Sequence, residues 1–203
     1  MGPLSTDMYL PSLPAMIDAF QTTESQVQLT LSGFMAGFAL SQLIYGPLSD
    51  RFGRRPLVIA GMTLFVAASF LCMFAPTIED LIAGRFLQAL GACCGPVLGR
   101  AIVRDTREGA EAARVLGYMA TAMGVLPLIA PSLGGVLQIV FGWQANFAAM
   151  GIMGAGILAG TILLLGETNR YRNPQATQIG PMLRNYRTIG GVPAFAANAA
   201  VLT

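Results

Sequence analysis

Twelve arginines, ten carboxylates and no histidine among 203 residues leave a net charge of +2, too small for the basic face of a nucleic-acid-binding module. Hydrophobic residues make up 54% of the chain, charged ones only 11%, and the mean hydropathy is +0.62; soluble domains carry about twice that charge. The composition excludes an ordinary water-soluble globule and points to a membrane.

The first run, Met1 to Ile17, is apolar apart from Ser5, Thr6, Asp7 and Ser12. It has no basic flank and is cut by Pro3, Pro11 and Pro14, so it reads as the end of a membrane helix, not a signal peptide. Complete runs follow at Val27 to Leu48, Pro56 to Phe74, Leu81 to Val103, Val115 to Phe141 and Ala145 to Leu165. Each reaches the roughly 17 residues needed to cross a hydrocarbon core of about 30 Å. None alternates with the period of two of a barrel strand. A last run, Ile189 to Leu202, begins a seventh helix. The expected division is an all-α six-helix bundle over 1–166, a cytoplasmic loop over 167–187 and a helix start over 188–203, all part of something larger.

Charge is one-sided. The turns after the second, fourth and sixth helices hold every arginine except Arg85, while those after the first, third and fifth offer only Asp18, Glu24, Glu79 and Asp80. Cytoplasmic loops collect Lys and Arg, so the even-helix ends are expected in the cytoplasm. The turn after the second helix reads "GPLSDRFGRRPL" (46–57). It lacks the strand and the Gly-Lys-Ser/Thr element of a phosphate loop. Topological anchoring accounts for Arg51, Arg54 and Arg55, Gly46 would let a neighbouring backbone approach, and Gly53 would permit a tight turn. Asp50 lies at the negative end of its own helix dipole. It is therefore expected to serve another partner, either Arg100 or Arg104 near the end of the fourth helix or the positive end of another helix.

Arg85 falls about one turn into the fourth helix, where an unpaired charge costs about 2.5–3.5 kcal/mol or more. It either snorkels to the outer headgroups or faces a polar interior, and Gln88 one turn deeper continues a polar stripe inward. Asp7 lies at a comparable depth on the first helix, so the two are expected to share one cavity. Burial and a nearby guanidinium act on a carboxylate's proton affinity in opposite senses, which suits Asp7 to taking up and releasing a proton. Gly91, Gly95 and Gly99 give the fourth helix a smooth packing face, as do Gly33 with Gly37 and Gly156 with Gly160. Gly124, Pro127, Pro131, Gly134 and Gly135 predict a bend in the fifth helix. Cys72, Cys93 and Cys94 lie in apolar runs and read as buried and structural.

The 46–57 turn resembles the loop signature of major facilitator superfamily transporters. "PLSTDMYLPSLPAM" (3–16), "GRFLQALGACCGPVLGRAIVRD" (84–105) and "GVLPLIAPSLGGVL" (124–137) are similar to the first-, fourth- and fifth-helix motifs of its Bcr/CflA drug:proton antiporter branch. The resemblance implies the first half of a twelve-helix fold with 3+3 inverted repeats, and drug efflux coupled to proton entry across the bacterial inner membrane. It implies proton coupling at Asp7 and Arg85, and a cavity for small amphipathic drugs at Asp7, Tyr9, Arg85 and Gln88. It further implies a conformational latch of Gly46, Asp50, Arg51, Gly53, Arg54, Arg55, Arg100 and Arg104, and an antiporter motif of Gly124, Pro127, Pro131, Gly134 and Gly135. The partners are then drug, proton, lipid and a second six-helix half. A non-transporting membrane subunit or a channel or receptor remain the alternatives. No nucleophile–base set, nucleotide loop, metal site or cofactor motif suggests an enzyme.

Overall fold

The computed structural model describes residues 2–169 and 172–178. Among them all regular structure is helical. The first helix is built from pieces: α1 (Gly2–Asp7), a 3-10 turn (Leu10–Ser12) and α2 (Leu13–Phe20). Pro11 and Pro14, each in the first turn of its piece, contribute no N–H to the preceding turn, which accounts for the interruption. Gln21 then takes a left-handed conformation (φ 49°), and Thr23 caps the next helix by accepting from the Gln26 N–H at 3.4 Å.

The second to sixth runs become α3 (Glu24–Phe52), α4 (Arg54–Met73), α5 (Ile78–Ala92) with α6 (Cys94–Thr106), α7 (Gly109–Phe141) and α8 (Gln144–Leu164). Five spans, with α5 and α6 counted together, are long and apolar enough to cross a membrane. The break between α5 and α6 falls at Cys93 because Pro96 has no N–H to donate to the Ala92 carbonyl. By contrast, α7 runs uninterrupted through Pro127 and Pro131. The expected seventh helix at 188–203 lies outside the described residues.

The bundle centres on α5, which packs against both α3 and α4, while α8 covers the far side of α4. Close approach at glycines makes this possible. A Cβ on Gly91 would sit 2.5 Å from the Phe65 backbone nitrogen, and one on Gly37 would sit 2.8 Å from the Phe86 carbonyl oxygen. Phe65, Leu81, Phe147 and Met150 fill the space between, all fully buried. Lipid tails give helices no hydrophobic reason to associate, so such close backbone packing is what holds them. Leu128, Ile139, Leu163 and Leu164 are among the large apolar side chains left exposed, as a lipid-facing surface requires.

Candidate functional site

Arg85 is fully buried and does not snorkel. Its guanidinium carbon lies 4.3 Å from the ring centroids of both Tyr9 and Phe34 and 5.8 Å from that of Phe147. Nη1 donates to Gln88 Oε1 at 2.6 Å and to the Ser5 carbonyl at 3.2 Å. Gln88 in turn donates to Ser69 Oγ at 2.8 Å, and the Tyr9 hydroxyl lies 2.5 Å from Thr30 Oγ1. One polar network thus ties the first helix, α3, α4 and α5 together. Nε and Nη2 of Arg85 have no hydrogen-bond partner among the described residues, and no carboxylate forms an ion pair with it there. The negative ring faces substitute for a counter-ion.

The expected Asp7–Arg85 pair is therefore not formed. Ser5 and Tyr9, four residues apart, share the face of the first helix that meets Arg85. Asp7 is two residues beyond Ser5, about 200° around a helix, and points elsewhere. Tyr9, Arg85 and Gln88 are closed inside the bundle, whereas Asp7 is half-buried at a separate groove.

That groove encloses about 410 Å³. Asp7 enters from the first helix, Phe34, Phe38 and Gln42 from α3, Arg100 from α6, and Met123 and Pro127 from α7. Arg100 Nε donates to the Pro96 carbonyl at 2.7 Å, which directs the guanidinium along α6. Asp7 and Arg100 border one space without an ion pair between them. A second groove of about 410 Å³, between α4, α6 and α8, is lined by residues such as Val58, Gly99 and Ile157 and carries no charge.

At the far end of α3 the partner of Asp50 is Arg54, at 2.7 Å, neither Arg100 nor Arg104. Arg54 Nε also meets Asp105 Oδ2 at 2.9 Å, and Nη1 donates to Ser49 Oγ. Arg104 Nε donates to the Arg100 carbonyl at 3.4 Å, so both α6 arginines fold back onto their own helix. The reversal at Gly53 (φ 103°) explains the switch: it starts α4 beside the end of α3, bringing Arg54 within reach of Asp50. Asp105, which completes this cluster, follows Arg104 in the fourth-helix motif; its Arg-Asp pair was the available signal.

Residues 165–169 and 172–178 fold over the same turn. Glu167 Oε1 accepts from the Arg54 and Asn169 N–H groups, both at 2.9 Å, and Oε2 faces Arg172 at 3.5 Å. Asn169 Nδ2 donates to the carbonyls of Ser49 (3.1 Å) and Asp50 (3.3 Å), and the Asn173 N–H donates to Asp50 O at 2.9 Å. Arg51 reaches Thr177 Oγ1 at 2.5 Å, and Arg55 reaches the Ile162 carbonyl at 3.0 Å. One segment thus caps the carbonyl end of α3 and the N–H end of α4, groups that a helix cannot satisfy itself. Partial burial would raise the Glu167 carboxyl, but the backbone N–H groups of Asn169 and Arg54, with Arg172 and the Thr168 N–H, outweigh it and hold it below the ordinary value.

The sequence pattern of the Major Facilitator Superfamily matches residues 1–203. The chain belongs to the major facilitator superfamily. It is 39% identical over 175 residues to the multidrug resistance protein MdtL of Escherichia coli O9:H4 (strain HS) and to that of Shigella flexneri serotype 5b (strain 8401). Each match covers 86% of this chain and 44% of the relative, so the chain spans under half their length. Its fold is similar to that of the human organic anion transporter MFSD10 (TETRAN), with TM-score 0.64 and 18% identity over 86% of this chain and 47% of that one. It is also similar to the peptide transporter POT solved with alafosfalin, with TM-score 0.69 and 14% identity over 100% of this chain and 45% of that one. The chain is thus a multi-pass membrane protein with the amino-terminal half of the major facilitator fold, of a family of transporters, not enzymes.

Within this major facilitator half the motif glycines divide into those that pack and those that do not. A Cβ on Gly134 would collide with the Met8 carbonyl, so this glycine lets α7 cross the first helix, and a Cβ on Gly135 would lie 3.9 Å from Pro11 Cβ. Pro127 borders the Asp7 groove. Among the described residues nothing lies within 4 Å of a Cβ placed on Gly46, Gly95, Gly124, Gly156 or Gly160. The expected close approaches at Gly46, at Gly95 and along α8 through Gly156 and Gly160 are absent; on α8, Gly151 and Gly154 meet Phe70 and Phe65 instead.

Proposed function

We propose that this chain is the amino-terminal half of a carrier that exports small amphipathic drugs in exchange for protons by alternating access. It would reside in the bacterial inner membrane with the ends of α3, α6 and α8 in the cytoplasm. The observation that carries the reading is Asp7: an acid inside an apolar run, open to a groove of drug size and unpaired by any described side chain. Such a carboxylate is available to a proton from one side and to a cationic drug group from the other, so that each displaces the other. The names of the 39%-identical relatives agree with drug efflux.

In this mechanism Arg85 positions the first helix. Its bonds to Ser5 O and Gln88 and its stacking on Tyr9 set the rotation that aims Asp7 at the groove. The Asp50–Arg54–Asp105 cluster at the α3–α4 turn serves as the conformational latch, with Glu167, Asn169 and Asn173 as its brace. The test is drug movement into vesicles carrying the full-length protein under an imposed ΔpH. Asp7→Asn should abolish accumulation against a gradient while leaving downhill equilibration. Continued ΔpH-driven accumulation in Asp7→Asn vesicles would place the coupling acid elsewhere.

A further inference from the structure

The groove beside Asp7 holds charges of both signs. We propose, on the reading that this protein is a drug carrier, that it selects zwitterionic amphiphiles, with Arg100 receiving their anionic group and Asp7 their cationic one. Arg100 commits Nε to the Pro96 carbonyl. Its Nη1 and Nη2 amines have no acceptor among the described residues, and the Asp7 carboxylate has no side-chain donor there. The half-buried Asp7 carboxylate and the exposed Arg100 guanidinium border one groove without pairing with each other. A ligand bearing an amine and a carboxylate offsets both at once, and a carboxylate matches the paired Nη donors of a guanidinium in bidentate fashion.

The remaining walls fit the apolar body of such a ligand. Phe34, Phe38 and Met35 on one side and Met123 on the other give aromatic and pliable thioether surface. At about 410 Å³ the groove falls in the size range of small-molecule sites. A purely cationic molecule gains Asp7 but meets repulsion from Arg100, and a neutral one leaves both charges unanswered. Discrimination therefore comes from the repelling residue as much as from the attracting one.

Equilibrium binding to the purified full-length protein in phosphatidylglycerol vesicles tests this, with norfloxacin as the amine–carboxylate probe and ethidium as a cation lacking a carboxylate. Arg100→Gln should weaken norfloxacin by about ten-fold or more and tighten ethidium, because Asp7 is relieved of its positive neighbour. Arg100→Lys should restore part of the norfloxacin affinity. Equal weakening of both probes, unchanged norfloxacin affinity in Arg100→Gln, or no binding of norfloxacin by the unaltered protein would overturn the proposal. Adding phosphatidylethanolamine separates a drug site from a lipid headgroup site; competition with norfloxacin assigns the groove to lipid and also overturns it. Binding is read without a gradient, so the predicted selectivity with no ΔpH-driven movement would sink the carrier reading and leave this one standing.

Discussion

Arg85 is a cation held by three aromatic rings, one amide and one carbonyl, with two of its nitrogens unanswered. Replacing a buried ion pair by apolar side chains is often neutral or stabilising, and Arg85 has no carboxylate among the described residues that its loss would strand. Arg85→Met should therefore leave the melting temperature within about 4 °C of the parent or raise it, while ΔpH-driven drug transport falls to background. A clear drop in melting temperature with transport intact in the surviving protein would make the charge a matter of stability alone. The depth of Arg85 and its stripe with Gln88 were legible in the sequence, because helical spacing fixes level and face along one element. The supposed pairing with Asp7 was not. Level on two helices says nothing of their relative rotation, and here Ser5 and Tyr9, rather than Asp7, turn toward the guanidinium.

The α3–α4 turn shows what an element boundary hides. Gly53 combines φ 103° with the Glu167 carboxylate where a Cβ would stand, so Gly53→Ala should destabilise by more than about 1 kcal/mol in thermal or denaturant unfolding. Glu167→Gln keeps the shape but weakens the bonds to the Arg54 and Asn169 N–H groups, with an expected loss of about 1 kcal/mol. The pH dependence follows from its depressed folded-state value. Stability from Glu167 is fully present above the unfolded carboxylate pKa and is lost as pH falls through the lower folded one. The gap in melting temperature between parent and Glu167→Gln should thus hold constant above about pH 6 and close below about pH 4; a gap that persists in acid would remove the charge from the explanation. Apolar run length made the five spans legible to within a few residues. The brace formed by Glu167 and Asn169 was not, since its caps join groups more than a hundred residues apart. The break at Cys93 was readable in principle from Pro96 and was masked by the regular glycine spacing around it.

For the molecule as a whole, the arginine bias supports the proposed orientation, and local contacts do not explain it away. Arg51, Arg54 and Arg55 each find a partner, yet among the described residues Arg107, which follows α6, meets only Glu111 in the first turn of α7, an exposed pair of little energetic worth. Arginines kept at such a turn fit the charge rule that orients membrane helices. From Ile78 to Thr106 the fourth span covers 29 residues, about 43 Å of helix, so its ends lie on opposite sides of the bilayer. Glu79 is exposed at one end and Glu108 just beyond the other, and all three native cysteines are buried and free. Single cysteines introduced at these positions should report sidedness against a silent background. In intact cells a membrane-impermeant maleimide should label Glu79→Cys and spare Glu108→Cys, and permeabilisation should expose the second. The reverse pattern would invert the topology. The Asp50 cluster would then face the outside, not the cytoplasm as proposed.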